Sequence, residues 1–153
     1  MRHTSSVIVF APCDPNTLRS VTDALTDDRS VIIPCGSENV LWAALQRQRI
    51  DVVILNLEKP FENAFRLLSE IQIRAPQAEV IFVAEFDDEI LSTWIEVIQR
   101  GAYEFLPKPF DPDELRFQVV RATEKHHRLE LRKRPPAESI RRQDQNLRRR
   151  AAV

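Results

Sequence analysis

The segment Asp51-Val-Val-Ile-Leu-Asn-Leu57 constrains the fold most strongly. Its central residues are apolar without alternation, whereas a strand with one wet face would alternate apolar and polar side chains. The pattern therefore predicts a strand covered on both faces, as in a parallel sheet with helices packed on each side. The Glu-Lys-Pro60 sequence that follows predicts a loop directly after this strand.

Four further strand patterns alternate with helical patterns along the chain. Short apolar runs predict strands, and apolar residues three or four positions apart predict the helices between them. Pro34 places the second strand at a sheet edge, because proline cannot donate to a ladder. The order predicts an α/β fold with a five-stranded, doubly wound parallel sheet, flavodoxin-like in its strand order 2-1-3-4-5. The predicted strands are 7–11, 31–35, 51–57, 79–84 and 103–107, and the helices begin near 15, 37, 61, 87 and 111.

Length and charge indicate one domain with a basic appendage. The chain has 153 residues, of which 43% are hydrophobic, which suits a single core. Residues 125–153 hold ten Lys or Arg and three Asp or Glu, leaving 12 basic and 20 acidic residues in 1–124. We therefore expect a body at 1–123, a helical extension at 124–134 and a basic, disordered tail at 135–153.

No segment predicts export or membrane insertion. No apolar run approaches the roughly 20 residues that a bilayer span requires. The two cysteines, Cys13 and Cys35, fit neither a disulfide scaffold nor a paired metal motif. These features predict a cytoplasmic protein without membrane contact.

Two ordered motifs resemble the receiver domain of two-component response regulators. The first is Asn56-Leu-Glu-Lys-Pro60, and the second is Gly101-Ala-Tyr-Glu-Phe-Leu-Pro-Lys-Pro-Phe-Asp-Pro-Asp-Glu-Leu115. The resemblance covers about residues 6–123. It implies a phosphorelay signalling protein, not an enzyme, that contacts a histidine kinase, an output protein or another regulator.

The resemblance also implies a set of site positions, most of which carry unsuitable residues here. Receivers hold Mg²⁺ with two acids after strand 1, phosphorylate an aspartate after strand 3, and use a hydroxyl after strand 4 and a lysine after strand 5. The corresponding residues are Pro12 and Cys13 for the acids, with Asp14 following, Asn56 for the acceptor, Ala84 for the hydroxyl and Lys108-Pro109 for the lysine.

These departures predict a receiver that cannot be phosphorylated. A carboxamide nitrogen is not a nucleophile, and one carboxylate binds Mg²⁺ weakly, so we expect weak or absent Mg²⁺ binding and no other cofactor. Lys108 is predicted to donate to the side-chain oxygen of Asn56 and to pair with Asp14. A solvent-directed lysine beside a structural Pro109 is the alternative. The Lys108–Pro109 peptide is cis in the resembled family.

Phe105 corresponds to the aromatic switch of receivers. With Ala84 beside it, the ring has room to stay inward permanently, which would fix the domain in one state. An ordinary strand aromatic is the equal alternative.

A second resemblance belongs to a different class of protein. Cys13, Arg19 and Ser20 form C-x5-R-S after strand 1, which is similar to the phosphate loop of low-molecular-weight tyrosine phosphatases. There a thiolate attacks phosphorus while backbone N–H groups and the arginine hold the oxygens. Here the loop lacks glycine, and Pro15 removes one N–H, so the receiver interpretation is favoured.

Several features point to partner surfaces. Trp94 and Val97 make the fourth helix unusually apolar, and a homodimer through the face of helix 4, strand 5 and helix 5 is predicted. Leu115, Val119, Ala122, His126 and Leu129 follow a short heptad-like spacing that could pair two copies. The basic tail could bind nucleic acid through phosphates, although no reading motif accompanies it. His126 and His127 lie on different helix faces, so no metal site is expected.

Overall fold

The computed structural model describes residues 4–26 and 30–133, with the side chains of the last helix described as far as residue 125. Within these residues five strands alternate with five helices. The strands are β1 (Ser5–Phe10), β2 (Ser30–Cys35), β3 (Val52–Asn56), β4 (Glu79–Glu85) and β5 (Glu104–Lys108). The helices are α1 (Pro15–Leu25), α2 (Glu38–Arg47), α3 (Glu62–Arg74), α4 (Ile90–Gln99) and α5 (Pro112–Lys133).

The strands form one parallel sheet in the order β2-β1-β3-β4-β5. This is the predicted order. Its reversal point lies between β1 and β3, so the loops that follow these two strands meet at the carboxyl edge of the sheet. The register places Glu85 beside Lys108 at the same edge.

Two apolar layers cover the sheet, one on each face. Val53 and Leu55 of β3 belong to the layer under α2, α3 and α4, while Val52 and Ile54 belong to the layer under α1 and α5. The central strand is therefore buried on both faces, as its unbroken apolar sequence predicts. The edge strand β2, which contains Pro34, is only partly buried, in agreement with its predicted position.

Local sequence explains where two of the helices begin and end. Asp14 caps α1, because its side chain accepts the backbone N–H of Thr17. Helix α4 begins at Ile90 rather than near Asp87, since the Asp87 carboxylate accepts the N–H groups of Glu89 and Ile90 and holds the chain in a turn. Gly101 ends α4 with a φ of 105°, a conformation that favours glycine.

Helix α5 has 22 residues and is the longest helix in the described part of the chain. Its apolar side packs on the sheet through Leu115, Val119 and Ala122, and Lys125 pairs with Glu79 at 3.2 Å. The helical backbone continues to Lys133. The side chains of residues 126–133, with the predicted heptad spacing and the histidine pair, lie outside the described residues, as does the basic tail. No helix in the described ranges has the length and apolar content that crossing a membrane requires.

Candidate functional site

Asp14 is the centre of a polar network at the carboxyl edge of the sheet. Its Oδ1 atom accepts the backbone N–H of Thr17 at 3.0 Å. Its Oδ2 atom accepts three bonds, from Thr17 Oγ1 at 2.7 Å, from Asn56 Nδ2 at 3.2 Å and from Lys108 Nζ at 3.2 Å. The network therefore joins the loop after β1 to the ends of β3 and β5.

These donors stabilise the charged form of Asp14. The pKa of this carboxyl falls from 3.8 to about 2, chiefly because the Thr17 hydroxyl and then the Thr17 backbone N–H donate to it, with a smaller effect of Lys108. Partial burial opposes the shift without cancelling it. Asp14 is thus a carboxylate at any physiological pH.

Asn56 lies between two carboxylates. Its Nδ2 atom donates to Asp14 and also to Glu58 Oε1 at 2.9 Å. Because both carboxylates are acceptors only, they fix the amide with its nitrogen toward them. The other amide atom, Oδ1, is buried and has no hydrogen-bond partner among the described residues.

This orientation corrects the prediction for Lys108. We predicted that Lys108 would donate to the Asn56 oxygen, but its ammonium donates to Asp14 and to Thr17 Oγ1 instead. The charged carboxylate is the stronger acceptor, and Asn56 donates to the same oxygen. The predicted pairing of Lys108 with Asp14 is confirmed, and the side chain of Lys108 is only 17% exposed, so it does not extend into solvent.

Sequence reasoning missed two members of the network, Thr17 and Glu58. Thr17 stands three residues after the capping Asp14, which is the spacing at which a cap meets the helix, so a signal for it existed. Glu58 stands two residues after Asn56, just beyond the end of β3. No sequence pattern gave it a role.

The donors at this edge do not fit a Mg²⁺ ion. The side chain of Pro12 has no ligand atom, Cys13 is an exposed thiol, and Mg²⁺ prefers oxygen ligands. The Oδ2 atom of Asp14 already accepts three hydrogen bonds. Among the residues that the structure describes, no three His, Cys, Asp or Glu side chains are grouped so that they could hold a metal ion.

An apolar cluster borders the network on the side of β4 and β5. Ala84 is buried at the end of β4, and Phe105 of β5 is 1% exposed. The Phe105 ring stacks on Trp94 of α4 with centroids 4.8 Å apart and an interplanar angle of 21°. All three side chains belong to one apolar layer.

Two proline peptides at this edge are cis. One is Lys108–Pro109, in agreement with the expectation from the resembled family. The other is Lys59–Pro60 in the loop after β3, which the sequence analysis did not predict.

Comparison with known sequences assigns the family. The sequence model of the response regulator receiver domain matches residues 13–120. The chain belongs to this family. The match includes the loop after β1 and the ends of β3, β4 and β5, which carry the whole network around Asp14.

The curated relatives are much longer proteins. The DNA-binding transcriptional regulator NtrC of Bradyrhizobium sp. (strain RP501 Parasponia) is 40% identical over 87 residues, which are 57% of this chain and 18% of that protein. NtrC of Azospirillum brasilense is 30% identical over 119 residues, 77% of this chain and 24% of that protein. This chain thus spans about a quarter or less of the length of these relatives.

Solved receiver structures have the same fold. A response regulator receiver domain protein from Clostridium thermocellum superposes with a TM-score of 0.70 at 24% identity, covering 82% of this chain and 98% of that one. The predicted fold class is therefore confirmed.

The receiver assignment replaces the phosphatase alternative. Cys13 lies in the loop after β1 with a φ of 63°, and Arg19 is exposed on α1. In a phosphate loop the first helical N–H groups would hold an anion. In this receiver the Asp14 carboxylate already accepts the N–H of Thr17, so a negative charge occupies the anion position.

The fourth helix of the receiver does expose an apolar surface, although Val97 is not part of it. Val97 is fully buried, and Trp94 is half-buried against Phe105, so the prediction that Val97 lies at an interface is wrong. The exposed aliphatic residues of α4 lie on one side of the helix, at positions Leu91, Ile95 and Ile98.

Proposed function

We propose that this receiver does not accept a phosphoryl group and acts through protein contacts without catalysis. The supporting observation is the hydrogen bonding of Asn56, whose amide nitrogen faces the carboxylates of Asp14 and Glu58. An amide nitrogen has no nucleophilic lone pair, and an acyl phosphate cannot form on a carboxamide. Asn56 then has a structural role at the position where receivers carry their acceptor aspartate.

The apolar cluster supports the same proposal from the other side of the site. The methyl group of Ala84 cannot donate to a phosphoryl oxygen. Phe105 is buried and stacked on Trp94, which suits a ring that stays inward. In this proposal the domain keeps one arrangement of α4 and β5 and presents it constantly to its partner.

The partner surface is proposed to include the exposed side of α4. Leu91 and Ile95 are each more than half exposed, and Ile98 is about two-fifths exposed. Apolar side chains grouped on one helix face favour a protein contact. The occupant is a second copy, a histidine kinase, an output protein or another regulator. Contact with a membrane is not part of the proposal, and nucleic-acid binding by the basic tail is a weaker alternative.

Light scattering at micromolar concentration tests the second-copy version. We expect a dimer mass for the native chain and a monomer mass for Leu91→Ser/Ile95→Ser. A monomeric native chain would exclude the homodimer and leave the other protein partners.

Incubation with acetyl phosphate and Mg²⁺, read by intact mass, tests the phosphorylation proposal. We expect no mass increase of one phosphoryl group in the native chain. A matched positive control restores the family residues in the variant Pro12→Asp/Cys13→Asp/Asn56→Asp/Ala84→Thr, which should gain an alkali-labile phosphoryl group. An alkali-labile adduct on the native chain would contradict the proposal.

A further inference from the structure

An open groove of about 790 Å³ lies beside the Asp14 network. Its floor is formed by one side of α1, and its walls are the loops that follow β4 and β5. It therefore opens on the face of the sheet that α1 and α5 cover. The lining residues that matter below are Asp14, Asp23, Glu85, Phe86, Lys108 and Pro112.

The groove is negatively charged. Among the described residues that line it, Lys108 is the only basic one, and its ammonium already pairs with Asp14. Asp23 and Glu85 are exposed, and neither pairs with a basic side chain in the ranges that the structure describes. The lining thus offers two uncompensated carboxylates to a cationic ligand.

The groove also presents an open aromatic face. Phe86 is 60% exposed and has no cation over its ring in the described part of the chain. A guanidinium group suits this combination, since it stacks on aromatic rings and pairs with carboxylates. The body of this chain uses the same packing three times, with Arg74 over Trp42 at 4.3 Å, Arg100 over Phe65 at 4.5 Å and Arg121 over Phe117 at 5.4 Å.

The chain itself carries arginine clusters within reach. Helix α5 begins at Pro112 in the groove wall and ends at Lys133, so its 22 residues separate the two points by about 33 Å. From Lys133, a fully extended chain places Arg141 at most about 29 Å away and Arg148 at most about 54 Å away. The Arg141-Arg142 cluster approaches Pro112 only when the chain is fully extended, whereas the Arg148-Arg-Arg150 cluster reaches this end of the groove with slack in the chain.

We propose that the Arg148–Arg150 segment docks in this groove of its own domain. One guanidinium stacks on Phe86 while its neighbours pair with Glu85 and Asp23. Tethering makes the contact intramolecular, so a weak individual affinity suffices to keep the groove occupied. The segment would cover the Asp14 network and withhold this surface from partners, which goes beyond the proposed absence of phosphorylation and does not depend on it.

Paramagnetic relaxation in the full chain tests the proposal. The variant Cys13→Ser/Ala152→Cys carries a nitroxide at position 152, while Cys35 is buried and stays unlabelled. At low ionic strength we expect broadened amide signals at Ser20, Asp23 and Phe86. We expect no broadening at Ile73, which α3 carries on the other face of the sheet.

Two matched charge reversals locate the docking segment. In the labelled chain, Arg148→Glu/Arg149→Glu should reduce broadening at Asp23 and Phe86 to the level at Ile73. Arg141→Glu/Arg142→Glu changes the net charge equally but should retain most of the broadening. Equal losses in both variants, or no selective broadening in the parent chain, would overturn the proposal.

A mixed sample separates the chain's own segment from that of a second copy. Nitroxide-labelled chain without ¹⁵N is combined with ¹⁵N chain that carries no nitroxide. We expect no broadening at Phe86 in this mixture. Broadening there would show that the segment of another copy fills the groove and would contradict the intramolecular proposal.

Discussion

The two sides of the site differ in the interactions that hold their side chains: hydrogen bonds on one side and apolar packing on the other. On the side of α1, Asp14 collects donors from Thr17, Asn56 and Lys108 into one hydrogen-bonded network. On the side of α4, Ala84 is packed in the same apolar layer as Phe105 and Trp94. The polar side keeps the charged residues Asp14 and Lys108 but has an amide, Asn56, where receivers carry the nucleophilic aspartate. The apolar side keeps the aromatic residue Phe105 but has Ala84 where receivers carry a hydroxyl.

This difference shows that the residues present support each other locally. A site that had only lost its function would leave charges unpaired or cavities open, and both are costly inside a protein. Here the Asp14 carboxylate accepts four hydrogen bonds and the Phe105 ring is stacked, and the buried Asn56 Oδ1 is the one side-chain atom of this site left without a partner among the described residues. We therefore expect the apolar side to depend on packing and the polar side on charge, which substitutions can separate.

The largest expected effect is on the apolar side. Phe105→Ala should lower the free energy of unfolding by about 3–5 kcal/mol, because it empties a fully buried site beneath Trp94. The matched control is Phe117→Ala on the exposed side of α5, which should cost less than about 1 kcal/mol. Urea unfolding measures both. Equal costs for the two variants would show that Phe105 is not a packing residue.

A smaller effect on stability is expected on the polar side when Asn56 is replaced by aspartate, the residue that receivers carry at this position. Asn56→Asp should cost about 1–3 kcal/mol at pH 7, because a third carboxylate replaces the donor between Asp14 and Glu58. The cost should shrink between pH 7 and pH 5, since like charges raise the pKa of the new carboxyl. Asn56→Ala, which removes the donor without adding charge, should lack this pH dependence. A stabilised Asn56→Asp variant would contradict the network.

The charge of Asp14 should appear in the pH dependence of stability. Its pKa is lowered from 3.8 to about 2 by Thr17 and, to a smaller extent, by Lys108. The stabilisation is therefore complete above about pH 4 and is lost as the pH falls toward 2. Asp14→Asn keeps a helix cap and should cost about 2 kcal/mol at pH 6. Between pH 4 and 2 the variant should lose less stability than the native chain. If the unfolding free energies of the variant and the native chain fell equally between pH 4 and 2, the charged form of Asp14 would not stabilise the fold.

Lys108 should have the smallest effect on stability. It adds less than Thr17 to the lowered pKa of Asp14, so Lys108→Gln should cost less than about 1 kcal/mol. Thr17→Val should cost more, because it removes the hydroxyl that bonds Asp14 and Lys108 together. Urea unfolding of the two variants at pH 6 gives the order. A larger loss of stability for Lys108→Gln than for Thr17→Val would mean that the Lys108–Asp14 ion pair, rather than the Thr17 hydroxyl, holds the network together.

The fold could be predicted from sequence because its signals are local and repeated. The unbroken apolar sequence of β3 indicated a strand buried on both faces, and Pro34 indicated the edge. Helix α4 was harder, because its sequence Ile90-Leu-Ser-Thr-Trp-Ile-Glu-Val-Ile-Gln99 is apolar on several sides. Nothing in that sequence fixes the rotation of the helix, which buries Val97 and exposes Leu91.

Three members of the site, Asp14, Asn56 and Lys108, were predicted, together with the Lys108–Asp14 pair, whereas Thr17, Glu58 and the direction of the Asn56 amide were not. The meeting of Asp14, Asn56 and Lys108 follows from the sheet topology, since Asn56 and Lys108 end β3 and β5 and Asp14 lies in the loop after β1 at the same edge. The direction of the Asn56 amide depends on which acceptors surround it, and Glu58 was not recognised as one of them. Three donors that share the Oδ2 atom of Asp14 are a feature of side-chain conformation, which spacing along the chain does not encode.

Titration with beryllium trifluoride and Mg²⁺, followed by NMR, tests the central claim most directly. This anion binds to a carboxylate oxygen as a mimic of a phosphoryl group, so it requires an aspartate at position 56. In the native chain we predict no shift of the Asn56 amide or of the Trp94 indole signal, with Trp42 as the remote reference. The variant Pro12→Asp/Cys13→Asp/Asn56→Asp/Ala84→Thr should shift at both positions. Saturable shifts at Asn56 and Trp94 in the native chain would contradict the claim that neither side of this site responds to phosphorylation.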